Sequence, residues 1–176
     1  MFAKQGDSRN KVNIKRLTLY AMLVAVCLIV GYLESLLSIS LIAIAPGIKI
    51  GLSNAVVITL ICTRDKQGAW AVNIARLGMS ALLFGSPVSF LLSLSGGVAS
   101  TLVSCLLSRS KSVSVIGISI AGGVVHNVFQ LIAAMIITGT GAIYYLPILL
   151  SLGAVCGAFC GVMANIVFTK SKIFKF

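Results

Sequence analysis

PGIKIGLSN, residues 46–54, is a polar, turn-forming stretch between two long apolar runs. Its proline lacks an amide donor and its glycines tolerate unusual dihedral angles, so regular structure is interrupted here. In the helix predicted to follow, residues 49–62, helical spacing brings Lys49, Ser53 and Asn54 close together on one face. A cation and an amide at the mouth of a membrane helix are costly unless a partner, water or a ligand meets them. We therefore predict that this stretch opens a binding site and that the rest of the chain surrounds it.

The composition of the chain indicates an integral membrane protein. Of its 176 residues, 59% are hydrophobic and only 10% are charged, and the mean hydropathy is +1.10. A soluble domain of this size carries more charge, so we predict an all-α integral membrane fold. The cysteines lie in apolar runs without a CxxC pair, so we interpret them as small buried hydrophobes and predict no metal, disulfide or other cofactor. They are Cys27, Cys62, Cys105, Cys156 and Cys160.

Apolar runs predict six transmembrane helices in one domain. We place them at about residues 17–33, 49–62, 69–84, 88–107, 113–138 and 143–168. The apolar segment 38–45 is too short to cross a bilayer and is expected to form a loop or re-entrant piece over the outer mouth. The domain itself spans residues 17–169, between a basic cytoplasmic leader, 1–16, and a basic cytoplasmic tail, 170–176.

The distribution of basic residues fixes the expected topology. Twelve of the 14 Lys and Arg residues fall in the leader, in the turns around Arg64 and Arg109, and in the tail. With six spans these segments share one side, so the positive-inside rule places both termini in the cytoplasm. We expect a multi-pass protein of a bacterial-type cell membrane. Its net charge of +11 indicates contact with the anionic lipid bilayer and not with nucleic acid.

Two basic residues, Lys49 and Arg76, depart from this pattern and are joined by polar residues of the fifth predicted helix. We predict one ligand pocket in the outer half of the bundle, because intramembrane ionisable residues favour a functional site. Glu34 is expected at the outer end of the first helix, where a pair with Arg76 would need a long reach, so the cations favour an anionic or amphiphilic ligand. The alternative is that these side chains only form hydrogen bonds between helices. The principal residues are Lys49, Arg76, His126, Asn127 and Gln130, and the secondary ones are Ser53, Asn54 and Asn73.

Several motifs in order resemble a known membrane family. They are PGIKIGLSN at 46–54, Arg76 followed by ALLFG at 81–85, SGG at 95–97, SIAGGxxHNxxQ at 119–130, and YLP at 145–147. This pattern resembles the integral-membrane family named both "Gx transporter" and "heptaprenyl diphosphate synthase component I". That family is similar to the substrate-binding (S) components of energy-coupling factor (ECF) transporters.

The resemblance implies a six-helix bundle like that of an ECF S component, with a substrate pocket open to the outside. It implies partners as well: a transmembrane coupling subunit, and ATPase subunits that supply energy. In S components an Ala-x-x-x-Ala motif on the first helix docks on the coupling subunit, and Ala21 and Ala25 match it. The implied function is capture of a small molecule outside the cell and its delivery through these partners.

The second family name suggests isoprenoid synthesis, but the residues argue against catalysis. Prenyl transfer needs Asp-rich motifs that hold magnesium on the diphosphate, and this chain has three acidic residues, none adjacent to another. The phosphate-binding GxxxxGK[ST] pattern of ATPases is absent too. We therefore predict that the protein is not an enzyme. A non-catalytic accessory subunit of heptaprenyl diphosphate synthesis, or a structural subunit of a membrane redox complex, remains an alternative.

Overall fold

The chain folds into a bundle of helices. The computed structural model describes residues 3–41, 53–84, 87–110 and 112–170. Within these ranges six α-helices follow one another in the predicted order, without any strand. Helices α1 to α6 are Ala3–Leu41, Asn54–Cys62, Lys66–Phe84, Pro87–Leu107, Val115–Thr138 and Leu146–Lys170, and a 3-10 helix, Thr140–Tyr145, precedes α6.

Four segments of the described chain are long and apolar enough to cross a membrane. They are Ile14–Glu34, Pro87–Leu107, Val115–Thr138 and Thr140–Val167. Helix α2 has nine residues, about 14 Å at 1.5 Å per residue, well short of the ~30 Å hydrocarbon core. Helix α3 has 19 residues but includes Lys66, Asn73 and Arg76. The structure thus supports a membrane protein with four helices that are long and apolar enough to span the membrane. The six transmembrane helices predicted from the sequence are not confirmed by this criterion.

Helix α1 is longer than predicted. Its 39 residues extend about 58 Å. It begins within the basic leader, and it continues past Glu34 to Leu41, so the predicted break after residue 33 is wrong. The part of the predicted outer loop at 38–41 is helical, while 42–45 lies outside the described residues. Glu34 lies within this helix and is buried.

The short helix α2 lies at the centre of the bundle. Residues 57–61 are all at most 4% exposed, and α2 contacts every other helix. The apolar core around it includes Val57, Leu60 and Ile61, together with Cys27 of α1 and Val72 of α3. Because α2 is central, the residues at its start, Ser53 and Asn54, lie inside the protein.

A tight turn joins α2 to α3, as predicted. Arg64 adopts a left-handed conformation with φ of 65°, which is uncommon for a residue with a side chain. Asp65 then caps α3, because its Oδ1 accepts a hydrogen bond from the Gly68 amide at 3.0 Å. Its Oδ2 accepts a second bond, 2.5 Å long, from the Tyr20 hydroxyl of α1. The turn therefore holds three helices together at this end of the bundle.

Glycines allow α5 and α6 to pack unusually closely. A Cβ atom added at Gly123 would lie 2.4 Å from the carbonyl oxygen of Gly153, and one at Gly157 would lie 2.7 Å from that of Ser119. No side chain fits between backbones this close, which is why small residues recur at such helix contacts in membranes. Gly139, with φ of 94°, ends α5 at the predicted position.

Candidate ligand-binding site

A cavity of about 190 Å³ with several polar side chains in its wall lies where α1 and α3 to α6 meet the beginning of α2. The helices around it are otherwise mainly apolar, so polar groups in this region need internal partners or a ligand. Its polar and sulfur-containing lining residues are Cys27, Tyr32, Glu34, Ser53, Asn54, Arg76, Ser80, Ser89, Ser93, Ser119, His126, Asn127, Cys156 and Cys160.

Arg76 is fixed in the cavity wall by neighbouring polar side chains. Its Nε donates to Asn73 Oδ1 at 2.9 Å, as their spacing of three residues on α3 allows. Its Nη1 donates to Ser53 Oγ at 2.7 Å. Asn73 is 0% exposed, and its Nδ2 donates to the Gly97 carbonyl at 3.1 Å and to Thr101 Oγ1 at 2.9 Å. Asn73 therefore positions the guanidinium against α4.

One nitrogen of Arg76 makes no hydrogen bond within the described part of the chain. Its Nη2 is buried and has no hydrogen-bond acceptor among the residues that the structure describes. A buried donor without an acceptor is destabilising, and more so when it belongs to a charged group. An acceptor supplied by a molecule in the cavity would remove this cost.

The position of Glu34 corrects the sequence prediction. The residue was expected at the outer end of the first helix, where a pair with Arg76 would need a long reach. Instead it is only 4% exposed, lines the same cavity, and its charge attracts that of Arg76. Both residues therefore line the same cavity, Glu34 from α1 and Arg76 from α3. The cavity is therefore not purely cationic.

Two asparagines of the predicted site connect helices. Asn54 Nδ2 donates to Ser100 Oγ of α4 at 3.2 Å, and Asn127 Nδ2 donates to the Leu149 carbonyl of α6 at 2.7 Å. These bonds agree with the alternative that intramembrane amides tie helices together. Asn54 has a second feature: its Oδ1 is buried and receives no donor from the described part of the chain.

His126 and Gln130 share a face of α5 but differ in environment. His126 lines the cavity and packs against α4, where a Cβ atom added at Gly96 would lie 2.7 Å from the His126 carbonyl oxygen. Gln130, one turn further along, is 6% exposed and does not line the cavity. Asn73 does not line the cavity either, and it is connected to the lining through its hydrogen bond with Arg76.

The predicted site residues thus divide into three groups. Five residues line the cavity: Arg76, Ser53, Asn54, His126 and Asn127. Two more, Asn73 and Gln130, are buried but do not line it. Lys49 lies outside the described residues.

Residues that sequence reasoning missed include Glu34 and three cysteines, Cys27, Cys156 and Cys160. We interpreted the cysteines as small hydrophobes, yet all three line the cavity, and Cys27 Sγ donates to the Ser53 carbonyl at 3.6 Å. No group of three or more His, Cys, Asp or Glu side chains among the described residues could hold a metal ion. A lone acid within an apolar run was the signal that could have identified Glu34.

The predicted docking residues lie on a different surface. Ala21 and Ala25 are exposed on α1, directly after Tyr20, which is bonded to Asp65. They do not contribute to the cavity. Their exposure leaves this face of α1 open to another helix.

Comparison with known proteins identifies the family. The family model described as "Heptaprenyl diphosphate synthase component I" matches residues 23–167, from the first helix to the last, which confirms the resemblance found in the sequence. Neither a curated protein nor a solved structure matches the chain. On the strength of the family match, the chain belongs to the heptaprenyl diphosphate synthase component I family.

Proposed function

We propose that this protein is the substrate-binding membrane subunit of an ECF-type transporter. It captures a small molecule from the outer side and delivers it with a transmembrane coupling subunit and ATPase subunits. The observation that carries the proposal is the cavity, whose wall contains the charged residue Arg76 in a chain that is otherwise strongly apolar; its Nη2 has no hydrogen-bond partner among the described residues. An ionisable residue within the membrane is by default a candidate for a functional site.

The proposal includes six membrane crossings, an S-component-like bundle and cytoplasmic termini. Helices α2 and α3 supply the two crossings beyond the four apolar spans. The central position of α2 supports this, because its buried neighbours shield it from lipid and make a full hydrophobic length unnecessary. The turn at Arg64 then lies on the cytoplasmic side with Arg109 and both termini, as the positive-inside rule requires in a bacterial cell membrane.

We also propose that the protein is not an enzyme. Its three acidic residues are far apart in the sequence. Asp65 caps α3 and accepts from Tyr20, and Glu34 lies in the cavity, so these two cannot together hold magnesium on a diphosphate. Energy for transport would come from the partner subunits.

The family description favours a second candidate, a non-catalytic accessory subunit of heptaprenyl diphosphate synthesis. The cavity does not suit a heptaprenyl chain, because about 190 Å³ is below the roughly 300–1,000 Å³ of pockets for drug-sized molecules. A prenyl chain would instead have to lie on the outside of the bundle. An apolar groove between α4 and α5, lined by residues such as Leu91, Leu102 and Phe129, offers such a surface.

Affinity capture of the tagged full chain from its own membranes tests these proposals. We expect a coupling subunit with ATPases to co-purify, whereas capture of a soluble prenyltransferase would support the accessory role. Capture of neither would contradict both. A variant with Ala21→Leu and Ala25→Leu should lose the coupling subunit, because larger side chains prevent close helix approach. Met22→Leu introduces the same residue at a neighbouring exposed position without adding volume; it is the control and should retain the coupling subunit.

A further inference from the structure

A continuous apolar groove runs along the outside of the bundle between α4 and α5. Its volume is about 670 Å³, within the roughly 300–1,000 Å³ of pockets for drug-sized molecules. Large, half-exposed side chains line it, among them Leu91, Leu102 and Phe129. Two alanines, Ala99 and Ala133, line it as well, and their short side chains leave room between the large ones. None of the described residues lines both this groove and the polar cavity, so the two are separate.

The surface of the groove suits a hydrocarbon chain. Helices α4 and α5 are two of the four apolar spans, so the groove lies in the hydrocarbon core of the membrane. Ser95 is a polar residue of the lining, but its hydroxyl already lies 2.9 Å from the Leu92 carbonyl oxygen and 3.3 Å from that of Phe129. The groove therefore offers packing and not hydrogen bonds to a molecule that occupies it.

Two cations stand at one end of the α4 face that lines the groove. Leu102, Leu106 and Arg109 follow one another at spacings of four and three residues, so they share a face, and all three are exposed. Lys66 Nζ donates to the Cys105 carbonyl at 3.0 Å, which fixes a second cation at the C-terminal end of α4. The charges of Arg109 and Lys66 both act on the Cys105 thiol. An anionic group bound here would thus lie in line with the groove, on the side that the proposed topology places in the cytoplasm.

The groove is longer than the chain of an ordinary phospholipid can reach from that end. Helix α4 ends at Leu107, and at 1.5 Å per residue Leu102 lies about 8 Å and Leu91 about 24 Å before it. The midplane of a hydrocarbon core of ~30 Å lies at about 15 Å. An acyl chain of the cytoplasmic leaflet ends near this depth and fills only the nearer part of the groove. A chain that begins at Arg109 and fills all of it must cross the midplane, as long polyisoprenoid chains do.

We propose that this surface binds a long-chain polyprenyl diphosphate, with the diphosphate at Arg109 and Lys66 and the chain in the α4–α5 groove. Guanidinium groups bind phosphate oxygens through two parallel hydrogen bonds. Lipid tails are as apolar as the groove, so moving the chain from bilayer to groove gives no hydrophobic gain. Selectivity therefore comes from packing along the groove and from the charge of the head group. The site lies outside the cavity and goes beyond the transport role, on which it does not depend.

The test uses the purified full chain in detergent and four defined probes. Heptaprenyl diphosphate is compared with farnesyl diphosphate, which has the same head and a shorter chain, and with heptaprenol, which has the same chain and no charge. Phosphatidylglycerol represents an ordinary anionic lipid. Native mass spectrometry over a concentration series measures binding. We expect heptaprenyl diphosphate to bind at least about tenfold more tightly than each of the other three.

Substitutions in the groove and at its charged end identify the contacts. Ala133 lies far from the charged end, so Ala133→Phe should lower the affinity for heptaprenyl diphosphate to that for farnesyl diphosphate and leave the latter unchanged. Ala71→Phe, at an exposed position of α3 outside the groove, is the matched control. Arg109→Gln should remove the preference for the diphosphate over heptaprenol. Lys15→Gln, at an exposed position of α1, removes a charge elsewhere and should retain that preference. If Ala133→Phe does not fold, the comparison of chain lengths on the wild-type protein still decides.

The other outcomes overturn this inference in different ways. Equal affinity for heptaprenyl and farnesyl diphosphate would mean that the chain does not lie along the groove. Equal affinity for phosphatidylglycerol would mean a site for ordinary anionic lipids. Binding of no probe would leave the groove without this ligand. None of these results affects the proposed transport function, because capture of the coupling subunit tests that function separately.

Discussion

Replacing Gly157 with alanine tests the close contact between α5 and α6. A Cβ atom at this position would lie 2.7 Å from the Ser119 carbonyl oxygen and 2.8 Å from Ile120 Cα. Carbon atoms prefer separations of about 3.5–4.0 Å, so the helices would have to move apart by roughly 0.7 Å or more. The obstructing atoms belong to backbone, which cannot rotate away as a side chain would. The substitution must therefore disturb the packing of the two helices.

The expected magnitude follows from two opposing contributions. Overpacking of a well-packed interior costs typically about 1–3 kcal/mol, and backbone obstruction favours the upper end. Alanine in place of glycine within a helix contributes up to about 1 kcal/mol in the other direction. The net loss for Gly157→Ala is then about 2 kcal/mol, which corresponds to a decrease in Tm of roughly 4–8 °C for a chain of this size.

Gly78→Ala on α3 provides the control. No atom lies within 4 Å of a Cβ added there, so only the helix-propensity gain applies and Tm should stay the same or rise. Thermal unfolding of both variants in the same detergent, followed by circular dichroism, measures the difference. If Gly157→Ala raises Tm as much as Gly78→Ala, the α5–α6 contact is looser than the structure indicates.

Three further variants test the polar contacts and the topology. Tyr20→Phe removes a hydrogen bond to a carboxylate and should lower the free energy of unfolding by about 1.5 kcal/mol in a denaturation experiment. The same change at Tyr144, which is 84% exposed, is the control and should leave that free energy unchanged. Asn73→Ala leaves a buried guanidinium nitrogen without its acceptor, so it should lower the free energy of unfolding by roughly 3 kcal/mol and weaken ligand binding. If calorimetry finds normal stability and normal ligand affinity, Asn73 does not position Arg76. Cysteines introduced at Ser8 and Ser171 should be inaccessible to a membrane-impermeant thiol reagent in intact cells, and labelling from outside would contradict the cytoplasmic location of the termini.

The sequence predicted those features of the fold and site that depend on spacing along one helix. Six helices follow in the expected order, and Asn73 and Arg76, three residues apart, share a face and a hydrogen bond. Local spacing suffices here because neighbours at such distances meet on any α-helix. Polar residues within apolar runs were a second signal: they identified His126 and Asn127, which line the cavity.

Features that depend on contacts between helices were not predictable in the same way. The partner of Asn127 is a carbonyl of α6, and the bond depends on how far glycines allow α5 and α6 to approach. Gln130 shares the face of His126 but not its access to the cavity, because depth along a helix decides which side chains reach a space between helices. Glu34 was misplaced because a charged residue was taken as the end of a helix that in fact continues to Leu41.

Helix α1 connects the proposed docking surface to the cavity. It is the most exposed of the four apolar spans, and it carries Ala25 on its surface and Glu34 in the cavity, about 14 Å apart along the same helix. A partner that binds α1 could therefore move Glu34 away from Arg76 without changing any other wall of the cavity. Such a movement would open the cavity on the side of α1 and so release a bound ligand. The bond from Tyr20 to Asp65 opposes the movement, so Tyr20→Phe should accelerate ligand dissociation as well as lower stability. An unchanged dissociation rate in that variant, measured on a small molecule that the purified wild-type protein retains, would mean that the two ends of α1 are not coupled.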